Sequence, residues 1–146
     1  MLKDLLKKLG GPAVVEERLN PPVAMAVLQI RLALSDGDFA SEEAEIMGAE
    51  LSQLFDISKV DAHLALETAK PLAVAPGDHV RFTKVLKDTV DYELRGRLVE
   101  SLWKIALADG HRDFEEDGFM RLIANLLGVN DRDSALARQR AQKTLS

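Results

Sequence analysis

An all-α fold is predicted: a compact helical domain of about seven to eight helices, built from two pseudo-symmetric helix–turn–helix units. Three observations predict it. Ile30 to Glu43 and Trp103 to Glu116 share one pattern, in which an apolar helix ends in Asp-Gly, a short acidic turn follows, and a second helix opens on paired glutamates. Core positions travel with that pattern: Leu51, Leu54, Phe55, Ile57 and Ser58 match Ile123, Leu126, Leu127, Val129 and Asn130. Their offset is one residue shorter than that of the Asp-Gly pairs, so one residue has been gained or lost inside the second helix. Finally, no stretch sustains the period-two alternation of β-branched residues that a strand requires. Two copies at so long a period are too few for a solenoid, and a single domain over residues 1–146 is expected, with its core at about 21–130.

The elements follow in order. Leu2, Leu5, Leu6 and Leu9 alternate with Lys3, Lys7 and Lys8, a short basic amphipathic helix over 2–9 that Gly10-Gly11-Pro12 stops and that is expected to dock on the domain as a satellite. After a polar connection, Pro21-Pro22 sets up a helix start, and Val23 to Ser35 is apolar on nearly all sides. Ser41-Glu42-Glu43 opens the next helix, with carboxylates at its positive end; Ala44, Met47, Leu51, Leu54 and Phe55 form its buried stripe. Ser58 and Asp61 begin a third helix, expected to stop at Lys70 before Pro71. Pro76-Gly77-Asp78 resets the chain ahead of a helix with Val80, Phe82, Val85, Leu86 and Val90 on one face. Asp91 caps the longest helix, Tyr92 to Ala108, where Leu94, Leu98, Leu102 and Ile105 recur at helical spacing beside Val99, Trp103 and Ala106. Phe119, Leu122, Ile123, Leu126 and Leu127 mark the next, and Asn130 caps a polar final helix over 131–145. The two first helices, duplicated and apolar, are expected to pack against each other.

Composition narrows the function classes. The 146 residues carry a net charge of −5, which argues against a nucleic-acid binder, whose affinity rests on clustered Lys and Arg. With no cysteine, disulfides, thiolate metal sites and cysteine nucleophiles are all excluded, and any metal would need oxygen or imidazole ligands. No apolar run approaches the roughly 20 residues of a membrane span, and no secretory signal opens the chain. A cytoplasmic protein that is not integral to a membrane is expected. Catalytic signatures are missing as well: there is no nucleophile elbow, HExxH, phosphate-cradling glycine loop or dinucleotide fingerprint. A pair of carboxylates could do acid–base work, but acids at exposed helix ends lack the burial that raises a pKa, so a non-enzymatic binding or scaffolding module is expected, with a metal-free protein–protein adaptor as the alternative and a cation-dependent enzyme as the lesser one.

The acidic turns are the candidate site. Asp36, Asp38, Glu42 and Glu43 crowd one, and Asp109, His111, Asp113, Glu115 and Glu116 crowd the other. Turn chemistry accounts for part of this, since Gly37 and Gly110 suit a left-handed helix end and Asp113 with Glu116 suits a capping box. Clustered carboxylates repel one another, however, and a divalent cation relieves that repulsion. An EF-hand is excluded, because Met47 and Met120 stand where its bidentate glutamate belongs. Two readings remain open: capping alone, or weak cation sites with Asp36, Asp38, Glu43, Asp109, His111, Asp113 and Glu116 as ligands. The all-carboxylate first turn would suit Ca²⁺ or Mg²⁺, and the imidazole in the second would suit Mn²⁺ or Zn²⁺. Elsewhere, His63 and Glu67 form a solvated pair, His79 stands near a helix start, Trp103 packs in the core, and Arg95 and Arg97 are expected to pair with carboxylates.

The duplicated Ala-Leu-(Ser/Ala)-Asp-Gly with its acidic helix start, at Ala33 to Glu43 and Ala106 to Glu116, together with Tyr92-Glu93-Leu94-Arg95 and Leu102-Trp103, resembles the TerB-like family of tellurite-resistance proteins. A similar module occurs in DjlA-type membrane co-chaperones. The resemblance covers about residues 21–130 and implies an all-helical domain of two related halves, a cytoplasmic stress-response setting, no established enzymatic activity, and a divalent-cation site at the acidic turns. Its motif falls on Asp36, Gly37 and Glu43, and on Asp109, Gly110 and Glu116. His111 and Arg112 depart from the usual acidic-then-apolar loop, and Ala40 replaces a polar cap. A protein partner is expected, no nucleic acid is, and a homo-oligomer is compatible with the sequence.

Overall fold

A computed structural model describes residues 19–35, 41–108 and 114–145, leaving aside the side chains at 41, 42 and 114–116. These residues form seven helices and no strand: α1 (Pro21–Leu34), α2 (Ser41–Phe55), α3 (Lys59–Val74), α4 (Val80–Thr89), α5 (Tyr92–Ala108), α6 (Phe114–Leu126) and α7 (Asp131–Leu145). The helix expected over 2–9 lies outside the described residues.

Local chemistry starts each of four helices where a short polar side chain can take an orphan backbone N–H. Asn20 Oδ1 accepts from Val23 N at 3.0 Å, Ser58 Oγ from Asp61 N at 3.0 Å, Asp91 Oδ1 from Leu94 N at 2.8 Å, and Asn130 Oδ1 from Asp133 N at 2.8 Å. The second helices of the two units end alike. Ile57 N donates to Ser52 O at 3.1 Å and Val129 N to Ala124 O at 2.9 Å, the six-to-one bond of a Schellman motif. Its left-handed residue is Gly128 (φ 74°) in one unit and Asp56 (φ 51°) in the other. Residues 52 to 61 thus repeat as 124 to 133, down to the capping bonds.

Packing follows the repeat. Met47 and Met120 are both fully buried, as are Leu51 and Ile123, so the equivalent stripes of α2 and α6 face the core. The first helices α1 and α5 do touch, as expected, but each lies far more extensively against the third helix of its own unit, α1 on α3 and α5 on α7. Alanine explains the preference. Ala62, Ala65, Ala69 and Ala73 line the buried side of α3, and Ala137 and Ala141 that of α7; small side chains let two helix axes approach closely. Between the units, α4 packs on both α1 and α6.

One helix boundary differs from the expectation. The helix α3 passes through Pro71 and runs to Val74 rather than stopping at Lys70. Pro71 supplies no N–H and weakens the ladder there, but Arg31 of α1 donates to the carbonyls beyond it, so the last turn is held from outside.

Candidate functional site

Of the seven predicted ligands, Asp36, Asp38, Asp109, His111 and Asp113 lie outside the described residues, as does the side chain of Glu116. Glu43 is described: it sits half-buried in the first turn of α2, where the helix dipole favours a carboxylate. Among the described residues no group of three or more histidines and acids could hold a metal. His63 and Glu67 are exposed and 3.9 Å apart, with Lys70 on the same carboxylate at 2.7 Å, a solvated cluster.

The structure does show what holds the helices that flank the two turns. Arg31, in the last turn of α1, is one of two polar residues on an otherwise apolar helix, and it reaches across to the connection between α3 and α4. Its Nε donates to Ala73 O at 3.1 Å, its Nη1 to Asp78 O at 2.8 Å, and its Nη2 to Leu72 O and Ala75 O at 3.5 Å each. The guanidinium also lies 4.8 Å from the centre of the Phe82 ring. A fifth polar contact joins Arg31 Nη1 to His79 Nδ1 at 2.9 Å. Arginine only donates, so His79 must accept here as the neutral imidazole with its proton on Nε2. Burial, and then the Arg31 cation, hold His79 below the ordinary histidine range against an opposing pull from Asp78. The imidazole also meets Phe119 of α6, ring centres 5.1 Å apart and nearly perpendicular. His79 therefore touches both the helix that enters the first acidic turn and the helix that leaves the second.

A second link joins the units through polar side chains. Glu50 of α2 accepts from Ser101 Oγ of α5 at 2.9 Å and stands 3.7 Å from Lys104 Nζ. The side chains of Glu50 and Lys104 are 15% and 21% exposed, so this pair is screened less than a surface one. Nearby in the core, Gln29 is fully buried and donates to Met47 O at 3.4 Å. Arg95, expected to meet a carboxylate, caps α6 instead: it donates to Leu127 O at 2.8 Å, while its guanidinium lies 5.4 Å from the Tyr92 ring centre.

Sequence reasoning passes over Arg31, His79 and Glu50 as functional residues. Arg31 carries a usable signal, because a lone cation on an apolar helix needs a partner for its charge. His79 and Glu50 carry none, since their partners lie far away in the chain.

A helical module of two like units, each with an acidic turn in its sequence and tied to the other by polar links, defines a class of small all-α domains. The particular family is shown by its model: the tellurite resistance protein TerB family matches residues 22–139, and the chain belongs to it. No curated protein and no solved structure matches the chain. No described helix is long and apolar enough to cross a membrane.

Proposed function

We propose that the chain is a non-catalytic binding and scaffolding module that takes up divalent cations at its two acidic turns. The observation that carries this reading is the convergence on His79 of the helix entering the first turn, through Arg31, and the helix leaving the second, through Phe119. Turns whose flanking helices share one anchor can respond together to a bound charge. The donor chemistry fits: carboxylates in the first turn and carboxylates with one imidazole in the second suit hard or borderline divalent ions. Glu43 at the start of α2 and the core positions of Met47 and Met120 agree with a site unlike an EF-hand. Asp36, Asp38 and Glu43, and Asp109, His111, Asp113 and Glu116, would hold the ions, supplying a ligand cage rather than a reaction. The description of the matched family favours a stress-response setting.

Thermal melts with Ca²⁺, Mg²⁺, Mn²⁺ and Zn²⁺ test this directly. Binding to the folded state alone raises the melting temperature with ion concentration, and Asp36→Asn with Asp109→Asn should abolish the rise. A melt that millimolar ions leave unchanged would assign the carboxylates to capping and make the module a metal-free protein adaptor. One feature favours that second reading: Val60 and Leu64, one turn apart on α3, are 69% and 56% exposed. Such an apolar pair suits a protein partner.

A further inference from the structure

The helices α6 and α7 run away from their shared turn at Gly128 with little contact between them, and a groove of about 800 Å³ opens there, lined in part by Trp103 of α5. Arg121 from α6 and Arg138 from α7 line it, with Asp117, Asp131 and Gln142. The two signs of charge are not equivalent. Asp117 and Asp131 stand in the first turns of α6 and α7, where helix dipoles offset a carboxylate. Arg121 and Arg138 lie in helix interiors, and among the described residues neither has a carboxylate partner, in a chain whose net charge is −5. Arg138 instead lies 4.8 Å from the centre of the Trp103 ring. That indole belongs to the buried core, as expected, and it also lines the groove. The residue is 7% exposed, yet its Nε1–H is buried without an acceptor, a donor whose desolvation nothing repays.

We infer that this groove is a binding site for a small organic oxyanion, a phosphate ester or a carboxylate bearing hydroxyl or ammonium donors. The oxyanion is taken by Arg121 and Arg138, whose planar forks match such groups. Asp131 and Gln142 accept from the ligand's O–H or N–H groups. The groove's volume is that of small-molecule sites in general. None of the residues proposed to hold a cation is among the described residues that line the groove.

Trp103 is the only tryptophan of the chain and lines the groove, so its emission and its indole ¹H–¹⁵N cross-peak report on a ligand there without overlap from another tryptophan. The full chain is titrated with glycerol 3-phosphate, with glycerate and with glycerol, at constant ionic strength and with EDTA present to hold cations off the turns. A saturable shift of both signals with glycerol 3-phosphate, with glycerate or with both is expected, and the pattern tells phosphate from carboxylate. Arg121→Gln and Arg138→Gln should each weaken binding about tenfold or more, the loss expected for a charge-assisted hydrogen bond, while Arg132→Gln, outside the groove lining, leaves it unchanged. The inference is overturned if neither oxyanion gives a saturable shift, if glycerol or added chloride gives the same one, or if folded arginine variants bind as the wild type does. The cross-peak of the wild-type chain decides the first two points even where a variant does not fold.

Discussion

Arg31 shows how one side chain can decide the conformation of a segment forty residues away. Its donors satisfy two carbonyls in the last turn of α3, two in the connection that follows, and the imidazole of His79. Arg31→Ala removes all of these at once and should cost about 2–3 kcal/mol, within the range for hydrogen bonds to a charged group. Urea denaturation measures the loss, and hydrogen exchange should show the turn after Pro71 opening first. His79 adds a pH dependence whose sign follows from its depressed pKa. The unfolded chain takes up the proton near about pH 6.5, the folded chain only at lower pH, so between those values the unfolded state binds more protons. The stability contribution is therefore complete above about pH 6.5 and lost as pH falls through the folded pKa. Melts from neutral to mildly acidic pH should show this loss, and His79→Gln should flatten it.

At the scale of the element, the two units solve one problem with different residues. Each second helix closes with a left-handed residue: Gly128 adopts φ 74° freely, while Asp56 adopts φ 51° against the crowding of its own Cβ. Only glycine escapes that crowding. Asp56→Gly should therefore stabilise the protein by roughly 0.5 kcal/mol, the relief of the crowding exceeding the entropy a glycine adds to the unfolded chain. A higher urea midpoint with unchanged slope would show it; a lower midpoint would mean that Asp56 is held by contacts of its own. Much of this level is legible in the chain. Ser58, Asp91 and Asn130 mark helix starts by their chemistry, and the repeat of residues 51 to 58 at 123 to 130 is visible without a structure. Asn20 is harder to read as a cap, because the two prolines after it draw the boundary toward Val23. Pro71 reads as a stop because a local rule cannot count a donor that arrives from another helix.

Across the whole molecule, the alanine faces of α3 and α7 set the arrangement. Ala137 is fully buried on the helix that lies against α5, so Ala137→Leu should overpack that contact and cost about 1–3 kcal/mol. Chemical denaturation checks this, and a neutral result would mean that α7 can lift from α5 without loss. By itself the sequence determined the all-α class, the duplication, most helix starts and the buried stripes, because periodicity and capping act over a few residues and every helix carries its own copy of the signal. The tertiary structure alone decided which helices pair, why α3 continues past Pro71, and that Arg31 and Phe119 meet at His79. Partner choice depends on how closely two backbones can approach, which small residues permit without announcing it in a hydrophobic pattern. An arginine's hydrogen bonds, likewise, depend on carbonyls brought within reach only by folding.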